Sequence, residues 1–418
     1  MRIVTLFILL MVPLYAFWFS TDQTKETEIK PPLLNIGFEE TMALSYLNTL
    51  REKAGMSVYY HNDALKLAAK RHAKYLVANR ELGHYETETK EYFSGRTPKK
   101  RAYTAGYQVG LITENVSVNA KNYEDSIDAL FAAIYHRFGF LDFQSDEIGI
   151  GIYQDPKNTS FNAYVYDMGI YELNDLCSQE SYAGVDRYVY KVCKDPSLHI
   201  EESLFQKALM LRKSLSQKVI LYPYHQQTNV PTAFYKEAPD PLPDYDVSGF
   251  PVSIQFNDYF YTHVRLRSFE LYNQKGESVK GKILTAQNDP NQRFQKGQFA
   301  FFPYARLNYG EKYTAVVTYR ADGKNGKKSW TFQTRPLQKP YFVINRTPST
   351  IKIKPYTRYQ IYFVPENPQD VLADLHFPAD VHVKFLDQNT ISLELLSNNR
   401  DPFTLKGDKP LLNITVTK

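Results

Sequence analysis

Two histidines and one acidic residue, placed on three separate segments, are the side chains of this sequence that could share a chemical site. His84 lies in GHYETE, Glu114 in TEN and His136 in IYHR. Imidazole and carboxylate groups that meet in one cavity can bind a divalent metal such as zinc or move protons. They can also form a hydrogen-bonded cluster that only holds a fold together. Three interpretations therefore stay open: a structural cluster, a metal site without catalysis, and a hydrolase.

The hydrolase interpretation allows two sets of roles. As ligands, the three residues would leave one position of a zinc ion open, and a catalytic zinc lowers the pKa of its bound water to about 7. Alternatively, Glu114 is a general base beside two ligating histidines. No serine or cysteine nucleophile is indicated, since Ser94 and Ser117 lie outside any G-x-S-x-G motif.

Other polar residues near these segments have simpler interpretations. His72 falls on the apolar side of a helical pattern, which favours a packed histidine over a ligand. Arg137 is expected to pair with a carboxylate such as Asp142, and Asn115 to bond a backbone group of its loop. The short basic run PKKR at 98–101 is expected to be a solvated turn.

The first twenty residues carry the strongest signal for compartment. A basic residue precedes an apolar run at 3–19, the pattern of a secretory signal or an N-terminal anchor. Cleavage after Ala16 or Ser20 would leave bulky Leu14 or Trp18 at the −3 position. A cleaved signal and a membrane tether through residues 3–19 therefore both stay open. Either one predicts an extracytoplasmic chain: periplasmic, secreted or anchored by its N-terminus.

The two cysteines agree with that compartment. Cys177 and Cys193 are the only ones present, and an isolated pair in an exported chain is typical of a disulfide. In the chain-entropy description a loop of this size stabilises a fold by about 3 kcal/mol. A redox pair or a metal site is disfavoured, because the spacing is not C-x-x-C and there is no third cysteine.

The composition predicts a globular chain with much β-structure. Its 418 residues include 33 Tyr and 26 Phe, types that favour strands, and the length suggests two or three domains. The formal net charge is only +5, and no basic run is long enough to indicate nucleic-acid binding. The partners that remain are an extracytoplasmic protein, a polysaccharide or a lipid.

Changes in the hydrophobic period divide the chain. Helical spacing followed by two strands predicts an α+β domain, and hairpins joined by short turns predict β-modules after it. The predicted segments are a signal or anchor at 1–20, a tether at 21–36, the α+β domain at 37–176, a connector with the cysteine pair and a helix at 177–218, a β-sandwich at 219–336 and a small β module at 337–418.

Local signals place the helices of the α+β domain. The first is expected to run from about Glu39 and to end at Gly55, because glycine readily adopts the left-handed conformation of a helix C-terminus. The second is expected to be capped by Asn62 or Asp63. The third is expected over residues 123–135.

Six motifs follow one another in this domain in a recognisable order. They are LNTLREKAG at 47–55, ALKLAAKRHAKYL at 64–76, GHYETE at 83–88, FSGR at 93–96 with AGY at 105–107, ITENVS at 112–117, and YHRFGFLD at 135–142 followed by EIGIG. Together they resemble the CAP superfamily, the domain shared by cysteine-rich secretory proteins, antigen 5 and plant pathogenesis-related proteins, and are most similar to its bacterial members. Residues 219–334 also resemble the Ig-like modules that sometimes follow such domains.

The resemblance implies an α-β-α sandwich with a cleft of two histidines and two acidic residues, which in several members binds a divalent cation such as zinc. His84, Glu114 and His136 match three positions. The fourth does not match, because Ala132 and Ala133 stand where a carboxylate is expected. The implied function is an exported protein with a binding or envelope-associated role. The alternatives are a metal-dependent hydrolase of extracellular peptide or polymer and a lipid or sterol carrier.

Overall fold

The computed structural model describes residues 32–398, 401–407 and 410–417. The predicted signal or anchor at 1–20, and the tether as far as residue 31, lie outside the described residues. None of the described helices is long and apolar enough to cross a membrane.

The first domain is a four-stranded sheet between two layers of helices, which confirms the predicted α-β-α sandwich. The sheet order is β1-β3-β4-β2, in which β1 runs parallel to β3 and the other pairs are antiparallel. The elements are α1 (Ile36–Ala54), β1 (Tyr60–His61), α2 (Asp63–Asn79), α3 (Pro98–Ala105), β2 (Thr113–Val118), α4 (Tyr123–Ala132), α5 (Ile134–Phe140), β3 (Glu147–Gln154), β4 (Asn162–Gly169) and α6 (Tyr171–Leu176).

The alternation of glycine and isoleucine in β3 explains why helices pack on both faces of the sheet. Side chains of a strand alternate between its faces, and Ile148 and Ile150 pack into a core that contains Leu47 of α1. Gly149 lies on the opposite face, where a Cβ atom would come within 2.0 Å of the Leu65 carbonyl carbon in α2. The glycines therefore let α2 lie directly on the sheet.

Of the three helices predicted from local signals, two have an end where the sequence predicted it. Asn62 caps α2, its side chain accepting from the Leu65 N–H at 3.0 Å, and Gly55 ends α1 with a φ of 95°. The single third helix is wrong, because Ala133 adopts an extended conformation, with ψ of 114°, and separates α4 from α5. The break places His136 in a short helix of its own.

The connector packs back onto the first domain. Its elements are β5 (Tyr188–Val189), β6 (Ile200–Glu201) and α7 (Glu202–Leu215). Cys177 and Cys193 form the predicted disulfide, with 5.4 Å between their Cα atoms. Both are buried in a cluster with Tyr107, so the connector is held against the helix layer that contains α3.

The second module is a β-sandwich. Its two four-stranded sheets have the orders β13-β14-β11-β7 and β12-β15-β16-β8, and Phe269, Phe301 and Trp330 fill the space between them. Phe131 of the first domain stacks on Tyr222 of this module at 4.6 Å between ring centroids, so the two share one core. The elements are β7 (Val219–Tyr222), β8 (Gln227–Val230), β9 (Ala233–Tyr235), β10 (Val247–Gly249), β11 (Val252–Phe256), β12 (Val264–Tyr272), β13 (Gly281–Thr285), β14 (Gln298–Pro303), β15 (Lys312–Ala321) and β16 (Lys324–Thr334).

The third module has a separate core between sheets of order β17-β19-β21-β20 and β18-β23-β22. Arg306 of the second module binds both carboxylate oxygens of Asp387 at 2.9 Å and joins the two modules. In the described part of the chain no helix follows Leu215, which agrees with a mainly β C-terminal region. The elements are β17 (Tyr341–Ile344), β18 (Ser349–Ile353), β19 (Arg358–Phe363), β20 (Val381–Asp387), β21 (Thr390–Leu395), β22 (Phe403–Lys406) and β23 (Pro410–Val416).

Candidate functional site

Glu114, on β2, is the centre of the candidate site. Its Oε1 accepts a hydrogen bond from His84 Nδ1 at 2.9 Å and its Oε2 accepts one from Arg101 Nη2 at 2.5 Å. Burial of this carboxyl would raise its pKa, but the charge of His72, the bond from His84 and Arg101 outweigh burial and lower the pKa to about 2. Glu114 is therefore a fixed anion at neutral pH.

Arg101 corrects the prediction of a solvated turn at 98–101. These residues form the first turn of α3, and the Arg101 side chain is fully buried. Besides Glu114, its Nη1 donates to the carbonyl oxygens of His84 at 3.0 Å and Gly95 at 3.2 Å. One guanidinium thus binds both the loop that carries His84 and the carboxylate that His84 contacts.

A second buried hydrogen-bonded pair, His72 with Glu86, lies behind this contact. His72 Nδ1 is 2.9 Å from Glu86 Oε1, and its Nε2 is 3.0 Å from the Gly83 carbonyl oxygen. A carboxylate and a carbonyl oxygen both accept, so each ring nitrogen of His72 faces a hydrogen-bond acceptor. The packed-histidine prediction is confirmed, but His72 Nε2 also comes within 3.8 Å of Glu114 Oε1.

Asp167 is an acidic residue at the site that the sequence analysis missed. It lies opposite Glu114 in the β2–β4 register and is fully buried. Neither of its carboxyl oxygens has a hydrogen-bond partner among the described residues. Burial and the negative charge of Glu114 raise the pKa of Asp167 well above its usual value. The buried cluster thus brings His72 and Arg101 together with the carboxylates of Glu86 and Glu114.

Replacing Asp167 with asparagine is expected to stabilise the protein at neutral pH, by on the order of 1 kcal/mol. In the unfolded chain Asp167 ionises above a pKa of about 3.9, whereas in the fold its pKa is raised. The free energy of unfolding therefore falls as pH rises from the unfolded toward the folded pKa, and asparagine removes that loss.

Urea unfolding of the Asp167→Asn protein at pH 5 and pH 8 measures this effect. The stabilisation should be larger at pH 8, and the exposed-site control Asp244→Asn should change little at either pH. A destabilised Asp167→Asn protein at pH 8 would contradict the prediction, because it would mean that the ionised carboxylate is the favoured form.

His136, on α5, lies next to His84. Their ring centroids are 6.3 Å apart, with an angle of 30° between the ring planes. Asn115 Nδ2 donates to the His136 carbonyl oxygen at 2.9 Å and ties α5 to β2 beside Glu114. The structure thus places His84, Glu114 and His136 close together, while their roles stay predictions.

The acidic partner of His136 comes from the second module. Glu237 Oε2 lies 2.9 Å from His136 Nδ1, although the two residues are 101 positions apart in the chain. Glu237 Oε1 also accepts from the backbone N–H of Ile134, at 2.9 Å. Ala132 and Ala133 provide no carboxylate where the resemblance implies one, and Glu237 of the neighbouring module provides a carboxylate to His136. Nothing in the sequence pattern had singled out Glu237.

Arg137 also attaches α5 to the second module. Its guanidinium donates to the Pro251 carbonyl oxygen at 2.7 Å, to Ser253 Oγ at 3.1 Å and to the Phe131 carbonyl oxygen at 2.6 Å. The expected pair with Asp142 is wrong, because Asp142 accepts instead from the backbone N–H groups of residues 144 and 145. The position of the helix that carries His136 therefore depends on the second module.

These contacts limit what the site could bind. Glu114 uses one oxygen for Arg101 and the other for His84, and each site histidine uses Nδ1 for a carboxylate. Nε2 of His84 and Nε2 of His136 have no hydrogen-bond partner among the described residues. In that part of the chain no three His, Cys, Asp or Glu side chains are grouped so that they could hold a metal. Glu114 does not fit the role of a third ligand, and a zinc site stays a prediction.

The cleft is open on the His84 side. The His84 side chain is 38% exposed and that of His136 is 19% exposed. Leu82 and Tyr85, which flank His84 in sequence, are each 69% exposed. The loop that carries His84 therefore exposes two large apolar side chains to solvent.

Comparison with known proteins concerns the first domain. The family model described as "CAP: Cysteine-rich secretory protein family" matches residues 44–168. An outer surface protein from Borrelia burgdorferi is 20% identical, with a TM-score of 0.28, over 32% of this chain and 92% of that chain. An extracellular protein containing a SCP domain from Bacillus anthracis is 16% identical, with a TM-score of 0.28, over 32% of this chain and 44% of that chain. A search of curated proteins gave no match.

Proposed function

We propose that this chain, whose residues 44–168 constitute a CAP domain, is an extracytoplasmic binding protein whose cleft holds its ligand without cleaving it. The disulfide between Cys177 and Cys193 supports the compartment, because such bonds persist in oxidising surroundings. The apolar run at 3–19, which precedes the described residues, supports export in the same way.

The lowered pKa and the hydrogen bonds of Glu114 support the non-catalytic part of the proposal. A general base works best with a pKa near the working pH, whereas the pKa of Glu114 is lowered to about 2. Its two oxygens are also bound to Arg101 and His84. Ser94 lies apart from this pair and donates its Oγ hydrogen to Glu86 at 3.1 Å. Glu114 is placed to orient His84 and not to take up a proton.

The two rings indicate the chemistry of the ligand. With Nδ1 donating to a carboxylate, the neutral form of each ring presents Nε2 as a hydrogen-bond acceptor. Acceptors of this kind bind the O–H groups of a glycan or the N–H groups of a peptide. Exposed Leu82 and Tyr85 add apolar contacts beside His84. We therefore expect the ligand to be an envelope polymer rich in hydroxyl and amide groups.

Binding of purified protein to insoluble peptidoglycan, a polymer of glycan and peptide, tests the proposal. His84→Ala and His136→Ala should each weaken binding by about tenfold, as removal of a central contact does. Glu237→Gln should weaken it less, because it disturbs the orientation of His136 without removing the ring. His61→Ala is the control, since its ring pairs only with exposed Asp63 at 3.0 Å.

Two results would overturn the proposal. One is binding of the His84→Ala and His136→Ala proteins at the strength of the unchanged protein, with both shown to be folded by circular dichroism. The other is release of soluble fragments by the unchanged protein that both substitutions abolish, since that would make the domain a hydrolase.

Hydrolysis is the second candidate, and the contact between His84 and Glu114 favours it. A carboxylate that accepts from imidazole Nδ1 fixes the tautomer and makes Nε2 a better base, and the His84 ring is open to solvent. In that case Glu114→Gln would abolish fragment release while leaving peptidoglycan binding in place. Lipid or sterol binding stays a prediction without a contact in the cleft that favours it.

A further inference from the structure

A polar groove lies on one face of the third module, away from the CAP cleft. Strands β19, β20 and β21 turn their apolar residues, such as Ile361 and Leu393, into the module core. Because side chains alternate along a strand, the residues between them line the other face. That face carries amide, hydroxyl and charged groups.

The floor of the groove consists of two rows of residues paired across the three strands. Neighbours in each row face the same side, and the rows are two residues apart, so all six side chains share one face. The rows are Arg358–Glu394–His382 and Gln360–Ser392–Lys384.

The segment before β17 forms a wall of the groove. Gln338 donates its backbone N–H to Gln360 Oε1 at 2.7 Å and so fixes this segment to the floor. Lys339 lines the groove beside it, and the enclosed volume is about 420 Å³. Ligand sites in proteins commonly have volumes of about 300–1,000 Å³, so the groove could hold a short stretch of a polymer.

The groove is cationic. Arg358 pairs with Glu394 at 3.0 Å, whereas neither Lys339 nor Lys384 forms an ion pair among the described residues. Tyr341, the register partner of Gln360, is 43% exposed at the edge of the same face. The surface thus combines two uncompensated ammonium groups, hydrogen-bonding side chains and an accessible aromatic ring.

We propose that this groove binds an acidic polysaccharide. Lys339 and Lys384 attract its carboxylate or sulfate groups, Gln360 and Ser392 bond its hydroxyl groups, and Tyr341 packs against a sugar ring. An acidic peptide fits less well, because the groove has no apolar pocket for side chains beyond Leu386. The site is independent of the cleft between His84 and Glu114 and does not rest on the function proposed for it.

Binding of the full chain to soluble polygalacturonate, measured at physiological ionic strength, tests this inference. Replacing both Lys339 and Lys384 with alanine should weaken binding by about tenfold, from the loss of two charge contacts. Replacing both Lys327 and Lys328 with alanine removes the same charge from an exposed part of β16, and should leave the affinity within about twofold.

Three results would overturn the inference. The first is equal weakening by the two lysine pairs, which would indicate a diffuse effect of net charge. The second is binding of poly-L-glutamate as tightly as polygalacturonate, which would indicate that the partner is an acidic peptide. The third is absence of polygalacturonate binding, or equal binding of neutral dextran. A large loss confined to the Lys339 and Lys384 double variant supports the groove.

Discussion

Replacing Arg101 with methionine should lower the free energy of unfolding by about 3–5 kcal/mol, the range observed when one partner of a buried ion pair is removed. Arg101 is fully buried and donates to Glu114 Oε2 at 2.5 Å. Without it, Glu114 keeps a buried negative charge beside Asp167, and the carbonyl oxygens of His84 and Gly95 lose their donor. Chemical unfolding at pH 7, followed by circular dichroism, measures the loss.

Neighbouring Lys100 provides the matched control for Arg101. It lies in the same turn of α3 and is exposed, so Lys100→Met should change the stability by no more than about 0.5 kcal/mol. Combining Arg101→Met with Glu114→Gln should cost less than the sum of the two single changes, because the double variant leaves no unpaired charge in that pair. Strictly additive losses would refute a direct ion pair.

The second large effect is expected at Gly149. An alanine there would place Cβ 2.0 Å from the backbone of Leu65 and Lys66, and backbone atoms cannot move aside as a flexible side chain can. We expect Gly149→Ala to lower the free energy of unfolding by about 3 kcal/mol or more, at or above the usual cost of an overpacked core. Displacement of α2 would also move His72, so the signals of the buried histidine in NMR spectra should shift.

Gly37 separates this steric effect from the conformational effect of adding a methyl group. It lies in the first turn of α1, where a Cβ atom would have no neighbour closer than 3.9 Å. Gly37→Ala should be neutral or should stabilise the fold by up to about 1 kcal/mol, because alanine favours a helix. A Gly149→Ala protein as stable as the Gly37→Ala protein would contradict the close packing of α2 on the sheet.

Glu237 connects the site to the arrangement of the whole chain. His136 takes its Nδ1 partner from the second module, and Arg137 binds Pro251 and Ser253 of that module. The first domain therefore presents a complete cleft only together with the β-sandwich that follows it. The carboxylate that Ala132 and Ala133 do not provide comes from Glu237 through tertiary packing and not from a nearby residue.

Most of the fold of residues 37–176 could be predicted from local signals. Asn62 and Gly55 mark helix ends because a side-chain acceptor and a left-handed backbone are local requirements. The third helix could not be predicted as two, since nothing in the local pattern requires the extended Ala133. For the site, the three residues that stand out by type, His84, Glu114 and His136, are brought together by the structure. The residues that surround them, Arg101, Asp167 and Glu237, did not stand out by type or spacing.

The periodicity and spacing of the sequence alone predicted an α+β first domain, the β-rich second half and the cysteine pair, because these are properties of neighbouring residues. The α-β-α sandwich was implied by the resemblance of six motifs to the CAP superfamily. Only the tertiary structure decided that Arg101 lies inside, that Asp167 faces Glu114 and that Glu237 reaches His136. Nothing in the run PKKR distinguishes the buried arginine from its exposed lysines, since the difference is the face that α3 turns toward β2. Arg101 belongs to the site because packing buries its charge away from water, and the segments that bury it lie far away in the chain.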